Sequence, residues 1–131
     1  AKGTPVEFVI EHLDAFCRKI ADRYGFMDYV FADSAEQTII NSERQRLPWR
    51  IRSSIKYEIV DRIRCEDILF SSGRIKIVKA DNVSLLSALR SAVWDEKAGD
   101  DKRMDIPGVT NICPLDAFEY SWEQFIDYLT R

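Results

Sequence analysis

Three times in this chain a short run with strand character gives way to a longer run with helical periodicity. The strand-like runs are YVFA at 29–32, WRIRSSI at 49–55 and RIKIV at 74–78. Each is followed by a stretch whose apolar residues recur at helical spacing. This alternation constrains the fold more than any other feature, because a strand followed by a crossover helix returns to pair in parallel with the next strand. The expected fold class is α/β, a mixed or parallel sheet flanked by helices. Three strands are few for such a sheet, so further strands are expected upstream of residue 1. At 131 residues, 46% hydrophobic and 31% charged, the chain is sized for a single domain over 1–131 with its own core.

The helical stretches carry their own punctuation. Thr4 and Glu7 form a T-x-x-E capping box around Pro5, which predicts a helix over 4–24 with Val6, Val9, Ile10, Leu13, Phe16, Cys17, Ile20 and Tyr24 on one stripe and Gly25 as its stop. His12 falls off that stripe and reads as a surface residue. A second helix is expected from Ser34 to about Arg44, ended by Pro48. A third lies within 56–72, with Ile59, Ile63, Ile68 and Leu69 on its apolar side and Gly73 after it. Asn82 should cap a helix running to Trp94, and 95–108 reads as a charged loop. Pro114 should open a last helix with Leu115, Phe118, Trp122, Phe125, Ile126 and Leu129 inward.

Charge and cysteine content narrow the function classes. The net charge of −3 leaves no global basic field to draw nucleic acid or membrane, so any such contact must be local. Three widely spaced cysteines, no CxxC pair and a single histidine argue against a structural zinc site. They suit a reducing compartment. No segment approaches the roughly 18 consecutive apolar residues of a membrane span, and no membrane partner is expected.

Two carboxylate positions and one basic stretch could carry chemistry. Asp33 ends the first strand, the place where sites form in parallel sheets; it can equally cap the next helix, as can Ser34. Asp116 falls in the first turn of the last helix, with Glu119 one turn on; an acid there is also what the helix dipole favours. Clustered carboxylates without histidine or lysine suit hard cations such as magnesium, which takes oxygen ligands at about 2.0–2.1 Å. Two such ions about 3.5–4 Å apart can hydrolyse a phosphodiester. RQRLPWRIRSSIK at 44–56 holds Arg44, Arg46, Arg50, Arg52 and Lys56 and no acid. It can contact DNA phosphates, or it is a strand edge kept soluble by charge.

Taken in order, these segments resemble a known family. YVFADSAEQTIINSERQ resembles the stretch of phage terminase large subunits in which a strand ends in a D-S-A-E motif. GRIKIVKADNVSLLSALRSAVWDEK resembles the strand, helix and W-D stretch that follow, and VTNICPLDAFEYSW their closing motif. The resemblance implies the carboxy-terminal nuclease domain, with a ribonuclease H-like fold. It implies a metal-dependent endonuclease that cuts packaged double-stranded DNA with two Mg2+ or Mn2+ ions. Asp33 and Asp116 match metal ligands, and Glu36 matches the glutamate of the D-S-A-E motif. The portal protein and the small terminase subunit are the implied partners, and the host cytoplasm the implied location.

The sequence departs from the family twice. Cys113 stands where many relatives have a histidine, and a thiol prefers softer metals, so that ligand is not carried over. The family's first catalytic acid lies on an opening strand, before the helix that begins here. The site on this chain is therefore expected to be incomplete, with weak metal binding and weak cutting by this polypeptide alone. Two other readings fit the same residues: a non-catalytic docking module of the packaging machine, and another ribonuclease H-like nuclease such as a resolvase or transposase core.

Overall fold

The structure is a computed structural model that describes residues 5–91 and 112–131. It is a mixed α/β protein with a two-stranded parallel sheet. Two compact units divide the chain, Ala1–Ser54 and Ile55–Arg131.

The first unit opens with helix α1, Val6–Tyr24, stopped by Gly25 at φ 93°, whose N–H bonds the Ala21 carbonyl. The start expected at Thr4 lies outside the described residues. Ile10 and Cys17 form the buried line of the stripe, and Val6, Val9, Leu13 and Ile20 flank it half-buried. Phe16 and Tyr24 are exposed, against expectation. Phe16 is offset by about 100° from Cys17 around the helix, and Tyr24 sits in the last turn under the Arg23 guanidinium, 5.2 Å from its ring. His12 is exposed as expected, its Nδ1 2.8 Å from the Phe8 carbonyl oxygen.

Strand β1, Val30–Ala32, helix α2, Gln37–Arg46, and strand β2, Ile51–Ser53, form a parallel βαβ unit. Val30 pairs with Ile51, Phe31 with Arg52 and Ala32 with Ser53. Flanking bonds extend the ladder: the Val30 N–H donates to the Arg50 carbonyl at 2.8 Å and the Ser54 N–H to the Ala32 carbonyl at 2.7 Å. The strands are shorter than the sequence runs, and β1 is half-buried rather than buried. Helix α2 begins three residues later than Ser34, because Asp33 to Glu36 close a turn first: the Glu36 N–H donates to the Asp33 carbonyl at 3.0 Å. Arg44 Nε reaches across to the Ile51 carbonyl at 2.8 Å, tying helix to strand.

Helix α2 also buries an acid. Glu43 is only 4% exposed, and its Oε2 has no hydrogen-bond partner among the described residues. Burial pushes its carboxyl above the usual range, and pushes the Cys17 thiol up as well, with help from Asp14 and Glu43. A carboxyl whose folded pKa is raised favours the folded state while protonated and loses that contribution as pH rises through the folded value. Glu43→Gln should therefore stabilise the protein at neutral pH by about 1 kcal/mol. The gain should vanish below the ordinary carboxyl pKa of about 4.3. Urea unfolding of both proteins across pH reads this directly; equal stability at neutral pH would show that the buried oxygen costs nothing.

The second unit contains α3, Ile59–Ser71, α4, Val83–Ser91, α5, Cys113–Trp122, a 3₁₀ turn, Glu123–Phe125, and α6, Ile126–Leu129. Its core is Cys65, Leu69, Trp122 and Ile126, with Tyr57, Ile75, Phe118 and Leu129 packed against it. The buried line of α3 is Arg62, Cys65, Glu66 and Leu69, a helical stripe in which two positions are charged. The apolar side expected from Ile59, Ile63 and Ile68 is displaced: Ile68 is exposed and the other two half-buried.

Two further expectations change. RIKIV at 74–78 is not a strand. The Gly73 turn, φ 70°, sends the Arg74 and Ile75 amides back to the Leu69 carbonyl, at 2.9 and 3.3 Å, and Ile75 packs on the core. Alternation is a local signal, whereas a strand needs a neighbour's ladder. The last helix is also not continuous. It tightens at Glu123–Phe125 and leaves Phe125 40% exposed, because Glu123 turns fully inward. Asn82 does stand at the start of α4, accepting the Leu86 N–H on its carbonyl; its side-chain amide donates to the Val78 carbonyl at 2.8 Å. The W-D stretch after Ser91 and the 95–108 loop lie outside the described residues.

Candidate functional site

Asp33 follows β1 directly and is exposed at the carboxyl end of the strand. Its Oδ1 accepts the Ala35 N–H at 3.0 Å, an Asx turn that shapes the entry to α2. That bond closes the turn before the helix and does not cap it: α2 begins at Gln37 with no side-chain capping bond, so neither Asp33 nor Ser34 has the capping role weighed from sequence. The Ser34 N–H is held by Ser54 Oγ at 3.0 Å, which pins the turn to the residue after β2. Glu36 occupies the N-cap position of α2, exposed, with no side-chain capping bond. Asp33 and Glu36 therefore share one surface turn of the first unit.

Asp116 lies in the second unit, in the first turn of α5 as expected. Its side chain is 27% exposed, and its Oδ1 is 3.7 Å from Nη1 of Arg62. The same Nη1 donates to Glu119 Oε1 at 3.3 Å, and Arg62 Nε lies 3.2 Å from Glu123 Oε2, an ion pair short of hydrogen-bond geometry. Glu119 and Glu123 have no exposed surface, and Arg62 is 5% exposed with Tyr120 stacked near its guanidinium, ring centroid at 5.5 Å. Three acids of the terminal segment thus meet one buried arginine.

Sequence reasoning took the α5 acids as uncompensated, since no histidine or lysine is near them in the chain. Arg62 corrects that. A guanidinium presents its donors in a fixed planar fork and cannot be deprotonated in a protein, so it can serve several carboxylates in an interior. The signal was available: Arg62 sits at helical spacing from Cys65, Glu66 and Leu69. Glu123 was also missed, although it interrupts the apolar run around Trp122 and Ile126.

The donor chemistry separates these acids with respect to a hard divalent ion. Asp33 and Asp116 fit it, being carboxylates with surface exposure. Glu119 does not, since its carboxylate is enclosed against Arg62, and Glu123 is engaged by backbone amides as well. Among the described residues no group of three or more His, Cys, Asp or Glu side chains is disposed to hold a metal ion. Cys113, exposed at the first position of α5, is not in a disulfide.

The basic stretch divides by role. Arg44 binds the β2 backbone, and Arg46 Nη1 makes a surface pair with Glu7 Oε1 at 3.6 Å. Trp49 donates Nε1–H to Asp14 Oδ1 at 2.9 Å, and that bond, after the one from Arg18, holds the Asp14 carboxyl below its usual range. Arg50 and Arg52 are exposed, with the Arg52 guanidinium over the Tyr29 ring at 3.9 Å. Lys56, in the second unit, is exposed and adopts φ 59°.

No family model, no curated protein and no solved structure matches this chain. Among the described residues no helix is long and apolar enough to cross a membrane.

Proposed function

We propose that this chain is the metal-dependent endonuclease domain of a viral DNA-packaging terminase, of ribonuclease H-like fold, cutting packaged double-stranded DNA. The reading is supported by the order of three motifs along the chain. The observation that carries it is Asp33, an exposed carboxylate at the carboxyl end of a strand in a parallel βαβ unit, where open α/β sheets place their sites. Two divalent ions, Mg2+ or Mn2+, would supply an activated water and a stabilised leaving oxygen. Asp33 and Asp116 offer the carboxylates to hold them. The Asx turn fixes one oxygen of Asp33, and Arg62 fixes Asp116 by charge. Glu36 assists from the same turn as Asp33, while Arg50 and Arg52 attract the DNA backbone. The portal protein and the small terminase subunit are the partners this reading brings, in the host cytoplasm.

A second reading, a non-catalytic docking module, is favoured by one observation: the α5 acids already have Arg62 and need no metal for their charge. Thermal unfolding in a manganese titration separates the two. A chain that binds the ion gains RT ln(1 + [L]/Kd), about 2.7 kcal/mol at a hundredfold excess over Kd, and Asp33→Asn or Asp116→Asn should reduce the gain. A flat response in a chain that also carries the upstream strands the resemblance implies supports the docking module.

A further inference from the structure

The turn at Gly73 does more than end α3. Its positive φ, with the Arg74 and Ile75 amides folded back on the Leu69 carbonyl, carries those two residues onto the core of the second unit. There they complete a cavity of about 190 Å³ whose other walls are Leu69, Phe118, Trp122 and Leu129. All of the lining is apolar or aromatic except Arg74, which brings a positive charge. That is the make-up of a small-molecule site, mostly apolar with a few polar groups that set orientation.

Two observations distinguish it from a gap in the core. Trp122 is 8% exposed, and its Nε1–H is buried with no hydrogen-bond partner among the described residues. A buried indole N–H ordinarily finds one, so this wall is unfinished as a piece of closed core. Arg74 donates from Nη1 to the Leu129 carbonyl, which fixes its side chain at the cavity, and no carboxylate pairs with it among the described residues. One bond to a neutral carbonyl uses one of five guanidinium donors. The charge is also felt inside: burial and Glu66 push the Cys65 thiol up, and Arg74 opposes them. The remaining donors form a planar fork, which matches a carboxylate.

We propose that this cavity binds a small organic monocarboxylate with an aromatic or branched apolar body. The carboxylate sits on Arg74, and the body lies between Phe118, Trp122 and Leu129. At about 190 Å³ the cavity is smaller than the roughly 300–1,000 Å³ of drug-sized sites, which sets the occupant near the size of benzoate. Its charge is single because a single cation lines the cavity. The site is built within the second unit and does not rest on the nuclease reading.

The test uses the full isotope-labelled chain and benzoate as the probe, with benzamide as its uncharged isostere, at matched ionic strength. NMR follows the backbone amides and the indole N–H groups through each titration. Benzoate should move the Trp122 indole and the amides of Leu69, Ile75 and Phe118 saturably, with Kd on the order of 1 mM. Benzamide should bind about 10 times more weakly. Arg74→Gln should weaken benzoate about 10-fold and remove the difference between the two probes, while Arg74→Lys should retain a preference for benzoate. No saturable shift at Trp122 with benzoate overturns the proposal. Equal affinity for the two probes in the wild type overturns it too, as does unchanged benzoate affinity in Arg74→Gln. Each of these results leaves the nuclease reading where it stands.

Discussion

Replacing Glu123 by alanine should destabilise the second unit by about 3–5 kcal/mol, the scale of removing one partner from a buried ion pair. The side chain has no exposed surface and serves four groups: the amides of Ile55, Lys56 and Tyr57, and the Arg62 guanidinium. Alanine leaves the three donors facing a void and removes one carboxylate from around the buried cation. Each buried donor left unpaired costs about 1–3 kcal/mol unless water reaches it. Glu123→Gln should lie between the two, because the amide oxygen can still accept while the amide NH2 faces further donors. Urea unfolding with an unchanged m-value measures the difference. A loss under about 1 kcal/mol for alanine would mean that water replaces the carboxylate freely and that Glu123 does not hold these amides in place.

The parallel βαβ unit was legible because it is written locally. YVFA is a short apolar run, WRIRSSI alternates, Pro48 ends the helix between them, and the pairing of Val30–Ala32 with Ile51–Ser53 follows from a strand-helix-strand order. Gly25 and Gly73 were readable as stops for the same reason, each with the positive φ that glycine permits. The failures are non-local. RIKIV has the composition of a strand, but the turn at Gly73 and the packing of Ile75 take it elsewhere. Apolar periodicity misplaced the inner face of α3, since the deciding residues there are Arg62 and Glu66, whose burial depends on partners. Arg62 meets its acids across 54 to 61 positions of sequence, and no window along the chain contains both ends of those contacts. The break at Glu123 has the same origin: its amide donors lie 66 to 68 positions away.

For the candidate site, sequence placed Asp33 at a strand end and Asp116 in a first helical turn, and both stand there. It set Glu119 one turn on from Asp116 among carboxylates suited to a hard cation, whereas Glu119 is buried against Arg62. The distinction between an acid that faces water and one that faces a guanidinium is not a property of spacing.

The second large effect concerns cleavage. Asp33→Asn keeps an oxygen to accept the Ala35 N–H, so the turn into α2 should survive with little change in stability. Asp116→Asn weakens one of three contacts to Arg62, the longest at 3.7 Å, and Glu119 and Glu123 still hold the guanidinium. Both variants should fold. Each loses an ionised oxygen, and a hard divalent ion takes a neutral amide far less readily than a carboxylate. The expected loss in metal-dependent cleavage is about 10³-fold or more, equivalent to roughly 4 kcal/mol of barrier. Arg64→Ala, on an exposed side chain that pairs with Asp61 at 3.7 Å among the described residues, should cut as the wild type does.

The most direct measurement is the rate at which the wild-type chain and these two variants cut supercoiled plasmid with manganese present. The account predicts linear product from the wild type, none when the metal is chelated, and a loss of about three orders of magnitude in Asp33→Asn and in Asp116→Asn, with unchanged circular dichroism. Cutting that persists at the wild-type rate in both folded variants would contradict it.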